Sequence, residues 1–242
     1  MFIHYRTQGF IFKKENRGES DQLFKIYTKD FGKIEVLAKG IRKISSKLRP
    51  GADILSLSEI EFIQGKTGKT LTDTILIDKF SGLKRDLKRL TIAQKIGDLL
   101  EDFLKIQEPD NKIWKLILET FQRINNSSLA IEKCYLLYYY FFWNLVSLLG
   151  YKPELYYCLS CRKKLKPEKN YFNPGEGSII CQDCSKKTKN LIEVKTETIK
   201  ILRLAAEKDS KFFLKIKNAR EHLKDLKEIS GNYEKFLLGQ NK

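Results

Sequence analysis

The chain has 242 residues, 42% of them hydrophobic and 12% aromatic, enough to bury a core in one or two modules and to exclude disorder along its whole length. Its 46 Lys and Arg against 30 Asp and Glu give a formal net charge of +16 and a sequence pI near 9.5. A field of that sign attracts polyanions, nucleic acid above all, although a Lys-rich solvated surface would give the same totals.

Met1–Tyr5 shows no basic n-region leading into an apolar stretch, so no secretory signal is expected and the expected compartment is the cytoplasm. From Tyr5 to Phe80 the pattern is that of strands. Gly9–Lys13, Asp21–Thr28, Gly32–Ala38, Ala52–Gln64 and Thr70–Phe80 are short runs separated by turn chemistry at Arg17-Gly18, Asp30-Phe31-Gly32, Pro50-Gly51 and Gly65-Lys66-Thr67-Gly68. Ile34, Val36 and Ala38 alternate with Lys33, Glu35 and Leu37, and Leu55 and Leu57 with Ser56 and Ser58, as half-buried strands require. Five strands in this length predict a Greek-key barrel of the OB type over residues 1–80. Phe2, Tyr5, Phe10, Phe12, Phe24, Tyr27 and Phe31 lie in it; most should be core, and any left outside can stack on bases.

Between the third and fourth strands runs Lys39-Gly40-Ile41-Arg42-Lys43-Ile44-Ser45-Ser46-Lys47-Leu48-Arg49, which has five basic residues and no acidic one. Lys39, Arg42, Lys43, Lys47 and Arg49 are the candidate phosphate contacts, on a mobile or ordered-on-binding segment; a solvated basic loop is the plainer alternative.

After Ser81 the period lengthens to about 3.6, with Leu83, Leu87, Leu90, Ile92, Ile96, Leu99 and Phe103 on one helical face. Pro109-Asp110 ends that helix. A second is predicted over Asn111–Ile124 and a third over Leu129–Leu149, capped by Ser127 or Ser128 and closed by Gly150 and Pro153. Cys134–Leu149 is apolar nearly all round but shorter than the ~20 residues of a spanning helix, and it carries Asn144 and Ser147. A buried central helix, with Cys134 as a small core residue, is expected rather than a membrane span. Helical spacing returns in Ile199, Leu202, Ala206 and in Leu223, Leu226, Ile229. The predicted class is therefore α+β and multi-domain: an OB-type barrel, then an all-α domain over 81–242 carrying an insertion at about 151–190.

That insertion holds the most specific local signal. Cys158-Leu159-Ser160-Cys161 is followed after 19 residues by Cys181-Gln182-Asp183-Cys184, two C-x-x-C knuckles at the separation of a four-thiolate zinc site, with Asn173–Gly177 able to turn the chain back between them. A structural disulfide is disfavoured in a reducing compartment, and a thioredoxin-like pair would need a βαβ context that is absent. Four thiolates close the coordination shell, so one structural Zn2+ is expected. Arg162, Lys163, Lys164, Lys166, Lys186, Lys187 and Lys189 crowd the knuckles, either to hold phosphates or to keep a small module soluble.

Enzyme signatures fail. The first glycine of a P-loop ending at Gly68-Lys69-Thr70 would fall on Ile63. His4 and His222 lie in no H-E-x-x-H pattern and beside no nucleophile, and the acidic residues form no cluster suited to two-metal chemistry. No enzyme activity is expected.

The order of parts resembles one family. Tyr5–Phe12, Gly18-Glu19-Ser20-Asp21, Thr28-Lys29-Asp30-Phe31-Gly32-Lys33-Ile34, Ala38-Lys39-Gly40-Ile41-Arg42-Lys43 and Leu48-Arg49-Pro50-Gly51 are similar to the amino-terminal region of bacterial RecO proteins. The resemblance extends over the helical middle and the four-cysteine insertion; the tail from Leu191 is least distinctive. It implies an OB-fold domain, a helical domain with a zinc finger, binding to single- and double-stranded DNA, strand annealing and assistance to RecA loading, in the bacterial cytoplasm at the nucleoid. The partners it implies are RecR and the single-stranded DNA-binding protein, with RecA engaged indirectly. A zinc-ribbon RNA-binding or translation-associated protein shares the charge and the OB-like start and is the alternative; a DNA-processing enzyme and a scaffold come after it.

Overall fold

A computed structural model describes residues 3–105, 108–207 and 210–240. The chain divides into two compact units, Met1–Ser128 and Leu129–Lys242.

In the first unit β1 (His4–Arg17), β2 (Asp21–Thr28), β3 (Gly32–Ala38), β4 (Ser56–Gln64) and β5 (Lys69–Asp78) close into a ring in the order β1-β2-β3-β5-β4, as an OB-type sheet does. All pairs are antiparallel except β3 with β5, joined in parallel only at Val36–Lys69 and Leu37–Thr70. Inside the ring Ile11, Phe24, Ile26, Ile34, Val36, Ile60, Phe62 and Leu71 form one apolar cluster. β1 is far longer than the apolar run Gly9–Lys13 suggests, because its first half pairs with β4 and its second with β2. An irregularity between Ile11 and Lys13 interrupts the alternation there, and Phe10, Ile11 and Phe12 are all buried. Ile11 joins the ring's core, whereas Phe10 lies 4.3 Å from the ring of Phe121.

Two strand expectations are corrected. Ala52–Leu55 is not strand: Arg49–Gly51 forms a 3-10 turn and Leu55 has a φ of 53°, which no strand residue adopts. Leu55, Ser56, Leu57 and Ser58 are all buried rather than alternating. Lys33, expected on a solvent face, is 6% exposed because a helix covers it.

That helix is α2 (Leu87–Phe103), which follows the single turn α1 (Ser81–Lys84); α3 is Asn111–Asn125. Lys25 and Lys33 both form ion pairs with Glu101 of α2, Lys33 at 3.3 Å, and Lys33 Nζ also donates to the carbonyls of Glu101 (2.9 Å) and Leu104 (2.5 Å). Asp86 and Asp110 cap α2 and α3 by accepting backbone N–H bonds from Lys88 and Arg89, and from Lys112 and Ile113. The restart at Asp86 breaks the helical phase, so Leu87, expected on the apolar face, is 78% exposed while Leu83 is buried. Arg89, buried on α2, closes the far end of α3 by donating to the carbonyls of Ile124, Asn126 and Ser127.

The second unit is built around α4 (Ile131–Leu148), whose side chains are buried on nearly every face. Its N-cap is Ala130 with no side-chain bond, not Ser127 or Ser128. Its C-terminus closes as expected at Gly150, where a φ of 94° lets Gly150 N–H reach Ser147 O and Tyr151 N–H reach Val146 O. Around it pack α6 (Thr196–Glu207), α7 (Ser210–Phe213) and α8 (Ala219–Gln240). Trp143 donates to Ser230 Oγ at 3.0 Å and stacks on Tyr233 with centroids 5.3 Å apart. Between α4 and α6 lie β6 (Asn170–Asn173), β7 (Ser178–Cys181), the turn α5 (Gln182–Ser185) and β8 (Ile192–Val194), the strands forming a sheet in the order β7-β6-β8. No helix among the described residues is long and apolar enough to cross a membrane.

Candidate metal centre and basic loop

The loop between β3 and β4 is a series of turns pinned from below. Ile41 is buried, Leu48 packs on the ring's core, Arg42 N–H donates to Ser20 O, and Thr74 Oγ1 donates to Leu48 O. Gly40, at a φ of 64°, places its N–H 2.7 Å from Asp21 Oδ1. That bond, the Ser20 hydroxyl and the Lys39 and Lys43 charges outweigh burial and hold the Asp21 carboxyl below its usual range. The root is thus fixed while Lys39, Arg42, Lys43, Lys47 and Arg49 are all exposed. Among the described residues none of the five makes an ion pair.

Arg42 and Arg49 share a cleft of about 310 Å³ with Lys14 and Gln22; Lys39, Lys43 and Lys47 do not line it. Lys14 escaped sequence reading because only the β1–β2 pairing brings it there. Of the aromatics in this module, Phe10, Phe12, Phe24 and Tyr27 are buried. Tyr5 and Phe31 are half-buried against Phe62, and Phe2 lies outside the described residues.

The cysteine knuckles are set by the small sheet of the second unit. The β6–β7 hairpin turns at Asn173–Gly177, where Gly175 N–H donates to Asn173 Oδ1, and it delivers Cys181 at the end of β7 and Cys184 in α5. The first knuckle is a tight reversal in which Arg162 N–H donates to Cys158 O and Cys158 N–H to Lys163 O, each at 2.9 Å. Leu159 N–H to Ile179 O, 3.0 Å, ties the two knuckles together. Phe172 of β6 seats the sheet on the helical core, edge-on to Trp143 and Tyr233 at 6.0 and 5.7 Å.

The sulfurs of Cys158, Cys161, Cys181 and Cys184 lie within 4.8 Å of one another, Cys161 and Cys181 at 3.9 Å. Four thiolates about 2.3 Å from a tetrahedral cation stand roughly 3.8 Å apart, so the set could hold a metal ion with no position left open. Burial raises the Cys158 thiol, but backbone N–H groups of Cys161, Cys181 and Ser160 outweigh it and bring it to about 6. Interaction with Cys181, then burial, pushes Cys184 up to about 12, and burial raises Cys181. The Cys158 thiolate is stabilised by the backbone while Cys181 and Cys184 resist ionising beside it, a conflict that a divalent cation resolves. Cys134 stands apart, buried in α4.

These parts define an α+β protein with a strand ring bearing an exposed basic loop, followed by a helical region carrying a four-cysteine cluster able to hold a metal. Residues 1–80 match the family model "Recombination protein O N terminal" and residues 84–242 match "Recombination protein O C terminal". A DNA repair protein RecO of Dehalococcoides mccartyi is 32% identical over 222 residues, 92% of this chain and 86% of that one. The DNA repair protein RecO of Acetivibrio thermocellus is 26% identical over 241 residues, 98% and 93% of the two chains. The chain belongs to the RecO family of DNA repair proteins.

Proposed function

We propose that this chain is a non-enzymatic recombination mediator that binds single- and double-stranded DNA, anneals complementary strands and assists RecA loading together with RecR and the single-stranded DNA-binding protein. The observation that carries the reading is the loop Lys39–Arg49: five exposed cations that make no ion pair among the described residues, on a root fixed by hydrogen bonds, in a member of a DNA repair family. Two strands repel through their phosphates, and cations that release counterions bring them together without nucleotide hydrolysis. The module bearing the loop is residues 1–80, an OB-type DNA-binding domain; residues 81–242 form the helical domain, with the finger at about 151–190. Cys158, Cys161, Cys181 and Cys184 hold one Zn2+, which fixes the knuckles and does no chemistry. The site of action is the bacterial cytoplasm, at the nucleoid.

Arg42 and Lys43 together test the loop. If each holds one phosphate, Arg42→Ala/Lys43→Ala should lower the slope of log affinity against log salt by about 0.7 to 0.9 per contact, roughly 1.4 to 1.8 in all. Affinity should fall equally on unrelated sequences, since phosphate contacts read no bases. Unchanged slope and affinity in a titration of a labelled oligonucleotide across salt concentrations would remove the loop from the interface.

A further inference from the structure

We propose that the first cysteine knuckle, residues 156–165, is a second nucleic-acid surface, on which Tyr157 stacks a base of a single strand while Arg162, Lys163 and Lys164 hold the flanking phosphates. The inference rests on the nucleic-acid reading above and assigns it residues that reading does not use.

Adjacent tyrosines on this knuckle are put to different uses. Tyr156 lies under the Arg203 guanidinium, 4.3 Å from its ring centroid, within the fold. Tyr157, the next residue, is 48% exposed. Leu155, Phe172, Ile179, Ile180 and Val194 of the module are buried, Leu159, Leu165, Tyr171 and Ile192 are half-buried, and Tyr151 is exposed, though less than Tyr157. About half of the Tyr157 surface is thus open to a partner beside the cysteine knuckle.

Its neighbours are cations. Tyr157 is bridged directly to Lys164 across the hairpin, and Arg162 and Lys163, just after the turn, are exposed. Arg162 adopts a φ of 59°, a conformation that glycine takes without strain and takes at Gly177 in the facing hairpin. A long cationic side chain thus occupies a position that the backbone alone would give to glycine. Glu154 Oε1 accepts the N–H groups of Tyr156 and Tyr157 at 2.8 and 3.1 Å. Among the described residues no ion pair engages Arg162, Lys163 or Lys164.

The surface is also rigid. Besides the two knuckle bonds between Cys158 and Arg162 and between Cys158 and Lys163, Leu165 N–H donates to Tyr156 O at 2.9 Å, so little order has to be gained on binding. Cations alone would suit any polyanion. An exposed ring among them selects a single strand, because only there are base faces free to stack.

The test uses the full-length protein with a labelled oligothymidylate and a duplex of equal length, comparing wild type, Tyr157→Ala, Tyr157→Phe and the Arg42→Ala/Lys43→Ala loop variant, each with its metal content verified. Tyr157→Ala should weaken single-strand binding roughly 5- to 150-fold, the range of one lost stacking contact, and leave duplex binding within about twofold. Tyr157→Phe should restore it, and a strand carrying 5-iododeoxyuridine should photocrosslink to a peptide containing Tyr157. Wild-type single-strand affinity in Tyr157→Ala with no crosslink, while the loop variant is weakened, would overturn the knuckle surface and leave the loop reading standing. Equal losses on single strand and duplex would also overturn it, since stacking would then not be the contact. A wild-type protein that binds no single strand at all would overturn both readings.

Discussion

Replacing Cys181 with Ser is expected to cost the protein its metal. Wild-type protein should contain about one zinc per chain by elemental analysis, and the variant should fall well below that. The magnitude follows from the coupling of metal binding to folding, with apparent values of about 10 to 16 kcal/mol for four-ligand zinc modules, much of which depends on a complete shell. Cys181 ends β7, and its backbone N–H, which Ser keeps, donates to Cys158 Sγ, so the variant removes the Cys181 sulfur while leaving that bond in place. The damage should begin locally: hydrogen exchange should quicken through residues 151–190, while the ring β1–β5, a separate compact unit, keeps its protection. Full metal retention in the variant would show that the cysteines are not the ligands.

Glu101→Ala should strongly destabilise the first unit. Glu101 is the carboxylate that Lys25 and the buried Lys33 share, and removing it leaves Lys33 with two carbonyl oxygens and the Phe12 ring, 5.9 Å from Nζ, but no anion for its charge. Breaking one side of a buried pair typically costs about 3 to 5 kcal/mol. The lower end applies here, because Lys25 keeps Glu15 at 3.1 Å and Glu101 is partly open to solvent. Burial raises the Glu101 carboxyl, but the Lys25 hydrogen bond and the Lys33 charge outweigh it and hold the group below its ordinary 4.5. A carboxyl depressed in the folded state stabilises fully above its unfolded pKa and loses that contribution as pH falls through the folded one. Wild type should therefore lose stability below about pH 4.5 more steeply than the variant in urea titrations. Parallel pH profiles would contradict the shared-carboxylate account.

The residues that could be read from the sequence are those whose environment is set by near neighbours. Asp21–Thr28 and Gly32–Ala38 were bounded correctly because turn residues flank them and Ile34, Val36 and Ala38 all face one core. The two C-x-x-C pairs were legible because each knuckle is a local turn. Lys33 and Leu87 were misread because their burial depends on where α2 restarts and which face of β3 it covers, neither of which is written in the strand itself. β6 and β7 were missed because Asn170–Asn173 and Ser178–Cys181 are four residues each, too short for a period to show. Arg89 carried no sign of its task, since the carbonyls it caps lie 35 to 38 residues away. Lys14 reaches the cleft of Arg42 and Arg49 by the same kind of long-range pairing.

We propose that this protein acts on DNA by binding and pairing strands rather than by catalysis. Its most direct test is the annealing of complementary single strands coated with the cognate single-stranded DNA-binding protein, followed by fluorescence quenching with and without ATP. The protein should accelerate duplex formation, ATP should make no difference, and added salt should abolish the effect as phosphate contacts are lost. No acceleration at any ratio of protein to strand, or acceleration only when ATP is hydrolysed, would contradict it.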